Sequence, residues 1–503
     1  MQKVVSVAQM RAYDAETIAN GTPGRELMWR AACGVMESYA WKGPVAIVCG
    51  SGNNAGDGYA LALLLHKARI DCTVYLLSDR FSADGDYYYG KCCEIGIKTA
   101  RFTEKTTLSE YAEIVDCLLG TGFSGIPEGL YATAIRAINQ SGATVISVDI
   151  NSGLSGDSGM TSLCVTSDLT VSVGYLKSGL LLNRAKDHIK RLVNVDIGIG
   201  LYGNCCYLCE DADFEAVLKP RRADSHKGNY GYVSVLGGCR EYSGAVKLAN
   251  LSCSALRAGC GVAQLIVPAS LRESVSPYLL ESTLALLPDE GGRLTYDPIA
   301  LDRVLARQAA LAVGMGWGRA PSYAAILSHV LFKYSMPVVI DADGLNTLAE
   351  TDLSMLKGTA CRVVLTPHLK EMERLSGIPM EAIQRDPIGT AEQFARTYGV
   401  ILLLKGSCTV ITDGETTYLV NRGCAGMATA GSGDVLSGVL VGLLGHAPCN
   451  ALTVACGAYI AGLAGELAEK QTNPISMTAS DTVAHISEAV SHLLKAVHPK
   501  TDV

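Results

Sequence analysis

Two short stretches hold residue types whose spacing can do chemistry. In "GMATAGSGDVLSG", residues 426–438, Gly431 and Gly433 stand just before an apolar run of helical period, with Asp434 beside them. Glycines let the backbone turn with its N–H groups inward, and the helix start adds partial positive charge, so the stretch can form an anion hole. It is not a Walker loop, because no Gly-Lys-Ser/Thr follows. A carboxylate beside a polyphosphate is repelled unless it has a proton to accept. Asp434 is therefore suited to deprotonating a hydroxyl that attacks a terminal phosphoryl group. The alternative is a tight turn in which Asp434 caps the helix. The second stretch, "CGSGNNAGDGYALALLL" at 49–65, meets the dinucleotide-binding spacing Gly-x-Gly-x-x-Gly/Ala. Asn53, Asn54 and Asp57 crowd that loop with carbonyl oxygens and a carboxylate, which suit a hard cation or a polar ligand better than bare pyrophosphate. A turn capped by Asn and Asp is the alternative there.

These loops need rigid elements to aim them. In the first part of the chain "VAIVCG" (45–50) reads as a buried strand, the following run as a helix, and "CTVYLLS" as the next strand. "EIVDCLLG", "TVISVDI", "LTVSVGY" and "RLVNVDIG" continue the alternation. Strands alternating with helices of this length imply a parallel sheet covered on both faces. A charged, irregular break spans 210–222, after which the rhythm restarts with "YVSVLGG", a helix over 243–258, and "AQLIVP". It runs on through "ALAVGMGWG", "MPVVIDADGLN", "CRVVLTPH" and "VILLLKGS", and helices beginning near 433, 451 and 481 close the chain. Two α/β domains, 1–215 and 216–503, are expected, with no repeat visible between them. Several strands end in Gly-rich loops, where open α/β sheets place ligands.

A chain of 503 residues exceeds one ordinary core. The net charge of −7 gives no reason to expect nucleic acid or an anionic membrane as a partner. Eighteen cysteines follow an N-terminus without an apolar signal core, which reads as a cytoplasmic protein with reduced thiols. "CCYLC" at 205–209 holds one Cys-x-x-Cys and no second pair at zinc-ribbon spacing, so strand or buried cysteines are favoured over zinc. "ALTVACGAYIAGLAGELA", 451–468, is long enough to span a membrane but carries Glu466, and is read as a buried core helix.

Gly431-Ser-Gly-Asp434 resembles the anion-hole and base motif of ribokinase-like carbohydrate kinases. With "SHKGNYGYVSVLGG", "YSGAVKLANLSCSALRAGCG", "DADGLN", "TPHLKEMERL" and "LLLKGSCTVI" in order, nearly all of 216–503 resembles the NAD(P)H-hydrate dehydratase branch of that family. The resemblance implies a ribokinase-like fold, ADP with Mg2+, and Asp434 as the base for the substrate hydroxyl. It implies nucleotide contacts at Gly433 and at Lys405, Gly406, Ser407, Cys408 and Thr409, and substrate contacts at Ala245, Gly316, His368 and Asp434. Each has a plainer alternative: Lys405 as a snorkelling lysine, His368 as a helix cap behind Pro367, Ala245 and Gly316 as packing residues. His368 and Glu371, three apart, are too few for a metal site. "VGMGWG" and "GCAGMATAGSGD" depart from the family's usual loops, around Met315 and Cys424.

The stretch at 50–58, with "VDCLLGTGFSG" (115–125), "SVDINSG" (147–153) and "VGYLKSGL" (173–180), resembles the NAD(P)H-hydrate epimerase family over roughly 10–200. This implies a Rossmann-like three-layer sandwich that binds K+ through Asn54, Asp116 and Ser152. Substrate contacts are implied at Asn53, Asn54, Ala55, Gly56 and Asp57, at Gly120, Thr121, Gly122, Phe123, Ser124 and Gly125, and at Asp149. Asp149 and Lys177 are the candidates for proton transfer. The alternatives are Asp116 and Asp149 as caps or turn formers and Lys177 as a solvated lysine. Asn151 stands where the family has proline, which suggests a less rigid loop around Ser152.

The two resemblances share one substrate, hydrated NADH or NADPH. They imply a bifunctional repair enzyme that epimerises the hydrate and dehydrates its S form with ADP, and a homo-oligomer. The rival is a hydroxymethylpyrimidine- or sugar-type kinase fused to a nucleotide-binding sensor.

Overall fold

The computed structural model describes residues 1–253 and 257–499. The chain forms two compact units, 2–206 and 207–503.

In the N-terminal unit Val45–Cys49 and Glu113–Cys117 are buried along their whole length, as strands covered on both faces must be. Successive side chains point to opposite faces: Ile47 joins an apolar cluster with helices Gly24–Ser38 and Asn53–Lys67, while Ala46 and Val48 join another with helix Gly129–Gln140. The result is a three-layer sandwich. The sheet's spatial order is Lys98–Arg101, Cys72–Leu76, Val45–Cys49, Glu113–Cys117, Thr144–Val148, Leu169–Val173, Leu192–Val195. All of these pairings are parallel. Numbered along the chain, the order is 3-2-1-4-5-6-7, so the direction of winding reverses between Val45–Cys49 and Glu113–Cys117. A crevice opens at the carboxyl ends of such a pair. A short strand, Gln2–Val5, pairs with Leu176–Lys177 and sets Val5 opposite Lys177.

The C-terminal unit repeats that winding, although the two sequences show no internal repeat. Its parallel strands lie in the order Thr283–Leu287, Val262–Pro268, Tyr232–Leu236, Ala310–Val313, Val338–Ile340, Val363–Leu365, Ile401–Leu404. An antiparallel extension through Thr409–Thr412 and Thr417–Val420 follows. Helices Ser243–Cys253, Ser432–Leu444, Ala451–Gln471 and Ala479–Val497 share one large core with the sheet. The helix expected to run to 258 is described as far as Cys253, and 254–256 lie outside the described residues. Ala451–Gln471 is the one described helix long and apolar enough to cross a membrane, and 83% of its most apolar window is buried against this core.

The units divide ahead of the charged break, because that break is not a free linker. The strand Cys206–Leu208 pairs Tyr207 with Tyr418, Phe214 is fully buried, and Asp211 accepts hydrogen bonds from Arg422, Tyr459 and His492. Of the Cys-x-x-Cys pair, Cys206 is half-buried and Cys209 buried.

Candidate active sites

The N-terminal crevice is a cavity of about 570 Å³ at the strand-order reversal. One wall is the start of helix Asn53–Lys67, capped by the backbone at Gly52 without a side-chain bond; the facing wall is the loop after Cys117. Asn53, Asn54, Asp57, Gly120, Thr121, Gly122, Phe123, Asp149 and Lys177 line it together. Ala55, Gly56, Ser124 and Gly125 do not. Gly56 instead permits helix packing, since a methyl there would sit 2.5 Å from Met28 Cε.

Lys177 is fully buried and far from a solvated lysine. Its ammonium donates to Val173 O at 2.6 Å, to Ser172 Oγ at 3.4 Å, and to Asp149 Oδ1 in a short ion pair. Asp149 holds φ at +69°, a strained region for a residue with a side chain, which aims its carboxylate across the crevice toward Gly120. Sequence reasoning missed Asp14 and Arg11, which line the same cavity from helix Val7–Ala19. Their spacing of three, on one helical face, is the signal that could have found them. Burial, and then the neighbouring Asp149, raise the proton affinity of both Asp14 and Asp57, well above the carboxylate range for Asp57; Lys177 opposes this.

Asp116 closes a turn onto the amide two residues on, as the alternative reading allowed, and holds the neighbouring loop as well. It is the last residue but one of a buried strand, where Oδ1 accepts from Ser152 Oγ at 2.5 Å and Leu118 N at 3.2 Å, and Oδ2 accepts from Ser147 Oγ and Ser152 N, each at 2.9 Å. Burial pushes its pKa up, against the pull of those bonds. Asn54 donates to Leu119 O at 3.0 Å while its buried Oδ1 has no partner. The loop at Asn151 is not slack as the missing proline suggested. The Asn151 side chain is fully buried, donates to Val165 O and Ser167 Oγ, and accepts from Thr170 Oγ1 at 2.6 Å.

In the C-terminal unit Asp434 does not cap its helix. Helix Ser432–Leu444 is capped at Gly431, whose φ is +95°, with no side-chain capping bond. Ser432 N–H donates to Thr429 O at 3.5 Å, while the N–H groups of Gly433 and Asp434 precede the first helical bond, from Val435 N to Gly431 O, and can meet an anion. Burial first, and then repulsion from Asp341, push the Asp434 pKa up to about 7, against the attraction of Lys405. That is where a general base works best at neutral pH. Lys405 does not snorkel: Nζ donates to Asp341 Oδ1 at 2.9 Å and lies 3.8 Å from Glu371. Burial pulls its pKa down, but those two carboxylates outweigh it and hold it above the usual lysine value. Gly433 adjoins this pair, since a methyl there would lie 3.4 Å from both Lys405 Nζ and Asp341 Oδ2. Gly406 and Ser407 are exposed and Thr409 is half-buried, paired with Val420; Cys408 is 3% exposed.

His368 is the helix cap that its place behind Pro367 allowed. Its Nδ1 accepts from Lys370 N and Glu371 N, while Glu371 answers by accepting from His368 N at 2.8 Å. A backbone bridge sets it beside Lys405. Burial, and then Lys405, lower its pKa. Among the described residues no cluster of three or more metal-ligating side chains includes it. Gly316 and Ala245 touch at the second winding reversal, between Tyr232–Leu236 and Ala310–Val313; Gly316 has φ of +62° and a methyl there would meet Ala245 Cβ at 3.1 Å. The unusual Met315 and Trp317 are fully buried beneath it, with Trp317 Nε1 donating to Leu236 O. Cys424 is half-buried, its thiol pushed up to about 11 by burial and Glu469.

Fold and sites together define a two-domain α/β enzyme with a carboxylate–lysine crevice in one unit and, in the other, a helix start without a side-chain cap beside a half-buried carboxylate. Residues 233–488 match the family described as NAD(P)H-hydrate dehydratase, and 24–179 match the family described as YjeF-related protein N-terminus. A bifunctional NAD(P)H-hydrate repair enzyme of Moorella thermoacetica is 35% identical over 506 residues, 94% of each chain. One of Hyperthermus butylicus is 31% identical over 523 residues, 99% of this chain and 94% of its own. A solved ribokinase-like superfamily protein of Enterococcus faecalis shares the fold, with a TM-score of 0.50 at 24% identity over 58% of this chain and 98% of its own. The chain belongs to the family of bifunctional NAD(P)H-hydrate repair enzymes.

Proposed function

We propose that the N-terminal unit interconverts the R and S hydrates of NADH and NADPH, and that the C-terminal unit dehydrates the S form while ADP becomes AMP and phosphate. The observation that carries this reading is Asp434, a half-buried carboxylate with a pKa pushed up to about 7, at a helix start without a side-chain cap. Asp434 takes the proton of the C6 hydroxyl, whose oxygen attacks the terminal phosphorus of ADP, and AMP leaves. The C6–O bond of the phosphorylated hydrate then breaks, releasing phosphate, and loss of the C5 proton restores the ring double bond. The helix N–H groups and Lys405 stabilise the charge on the transferred group. Mg2+ accompanies the ADP and supplies further charge compensation.

In the N-terminal crevice, Asp149 and Lys177 exchange protons with the C6 hydroxyl and ring nitrogen as the C6–N1 bond opens and recloses on the other face. Asn54, Asp116 and Ser152 fit a K+ ion by donor chemistry. All three offer oxygen, the Asn54 Oδ1 is buried and unpartnered, and Asp116 brings the charge. The ion would supply fixed positive charge that orders the two loops. A cytoplasmic homo-oligomer is part of the same proposal.

The test supplies mixed hydrated NADH with ADP and Mg2+ and follows reduced cofactor, AMP and free phosphate. Equal amounts of the three support the reading. A phosphorylated product that accumulates indicates a small-molecule kinase, and nucleotide binding without phosphate release indicates a sensor; either result overturns the proposal.

A further inference from the structure

Asp341 has no role in the chemistry derived so far, yet both of its carboxylate oxygens are engaged beside the residues that do. It is 1% exposed and follows the strand Val338–Ile340. One carboxylate oxygen accepts from Lys405 Nζ at 2.9 Å and the other from Ser437 Oγ at 2.8 Å. Ser437 lies three residues beyond Asp434 on helix Ser432–Leu444, so the two share a helical face. The place where a methyl on Gly433 would sit is 3.4 Å from both Asp341 Oδ2 and Lys405 Nζ. A strand-end carboxylate is thus pinned under the phosphate-facing turn from both sides, by the lysine of one strand and by the helix that carries the base. An anionic group beneath an anion hole weakens phosphate binding, so charge alone does not account for it.

We propose that Asp341 is a positioning residue of the dehydration reaction, fixing Lys405 beneath Gly433 and bracing, through Ser437, the helix that carries Asp434. This rests on the proposed role of Asp434 as base. Asp341 has a second effect through space. After burial, its like charge is the largest cause of the raised proton affinity of Asp434, with Asp343 adding to it and Lys405 opposing. Glu371 lies against Lys405 from the neighbouring helix, with His368 at that helix's cap. Asp341 therefore holds the cation in place while keeping the base strong enough to accept a proton.

The test follows the kcat/KM of dehydration for the S hydrate against pH at saturating ADP in the full chain. Asp341→Asn keeps the shape of the side chain and removes its charge. The acid limb of the profile is expected to move down by about one pH unit as Asp434 loses its like-charged neighbour, and the plateau to fall tenfold or more as Lys405 loses its anchor. Asp341→Glu restores the charge and is expected to return the limb toward its native position whatever happens to the plateau. An acid limb that stays in place in a folded Asp341→Asn protein overturns the inference. Where that variant does not fold, Ser437→Ala decides. It removes one of the two bonds pinning Asp341, and is expected to lower kcat several-fold with KM for the hydrate held; native kcat overturns the bracing. Asp434→Asn serves as the reference. If it still dehydrates, the proposed function has failed; if it is dead while Asp341→Asn and Ser437→Ala behave as native, only the role of Asp341 has.

Discussion

Asn54 Nδ2 donates to the Leu119 carbonyl at 3.0 Å, tying together the two loops on either side of the point where the N-terminal strand order reverses. The same amide leaves its oxygen buried without a partner. Asn54→Ala removes the bond and the free oxygen together. Epimerisation is expected to fall at least tenfold and to lose its dependence on K+, with dehydration unchanged. Asp116→Ala is expected to do the same and also to destabilise by about 3 kcal/mol, because it strands the Leu118 and Ser152 amides and the Ser147 and Ser152 hydroxyls. Rates in K+ against a bulky organic cation check both. Equal native rates in the two salts would remove the cation from the mechanism.

The Asp149–Lys177 pair makes a different prediction. Lys177→Met retains the stem and leaves Asp149 partly buried beside Asp57 and Asp14 with no compensating cation. Removing one partner of a buried pair costs about 3 kcal/mol or more. Because that loss would be confused with lost chemistry, the informative comparison is Lys177→Arg, which keeps the charge but cannot place one proton on one oxygen as an ammonium does. It is expected to stay folded, by urea unfolding, and to epimerise at less than a hundredth of the native rate. Near-native epimerisation by Lys177→Arg returns the lysine to a purely structural role.

What could be read from the sequence was whatever depends on neighbours in the chain. The glycines before Asp434, the apolar period after it and the oxygen-rich start of the 53–67 helix are local signals, and the strand–helix alternation followed from runs of five or six residues. Partnerships across a parallel sheet leave no such trace. Ser437 finds Asp341 from 96 positions away, and Asn151 finds Thr170 from 19 positions away across a strand pair. The capping of Asp434 could not be decided beforehand either, since aspartate favours both caps and catalysis. Only the geometry at Gly431 separates them.

The division of the chain also yields a test. A C-terminal piece beginning at 216 lacks Tyr207, Asp211 and the fully buried Phe214, whereas one beginning at 207 keeps them. Losing a buried phenylalanine costs about 3–5 kcal/mol, and Arg422 and His492 lose their shared acceptor as well. The 207–503 piece is expected to be soluble, ADP-binding and active on the S hydrate. The 216–503 piece should melt at least 5 °C lower. Equal melting temperatures would make the charged break a true linker.

Two glycines beside the dehydratase site are expected to respond in opposite ways. Gly316 needs its φ of +62°, and a methyl would sit 2.4 Å from the Tyr242 carbonyl oxygen, so Gly316→Ala should destabilise by about 2 kcal/mol. Gly433 lies in a helix with only ordinary contact at 3.4 Å, so Gly433→Ala should keep or slightly raise stability. Its methyl does fill part of the space above Lys405, and ADP affinity should drop about tenfold. Calorimetric titration of ADP, paired with melting curves, checks both; unchanged ADP affinity in Gly433→Ala removes that glycine from the phosphate site.

The last prediction concerns Asp434. Its folded pKa of about 7 lies above the ordinary aspartate value of 3.8. As a base it must be ionised to work, so kcat/KM for dehydration should fall tenfold per pH unit below about 7 and level off above it. Stability runs the other way. Between about pH 4 and 7 the folded state holds a proton that the unfolded state has released, so folding is weakened as pH rises through that window. Asp434→Asn has no such charge to desolvate and should be more stable than the native chain above pH 7, by up to about 4 kcal/mol, with the difference vanishing below pH 4. The amide cannot accept the hydroxyl proton, so dehydration should drop at least a hundredfold. ADP binding should hold or tighten, because a negative charge beside the phosphates is gone. Epimerisation should be untouched. A cap in this position would give none of that pattern, since asparagine caps as well as aspartate and both activities would survive. Dehydration by Asp434→Asn within a few-fold of native, together with a pH-independent stability difference, would return this carboxylate to the helix end and leave phosphoryl transfer without its base.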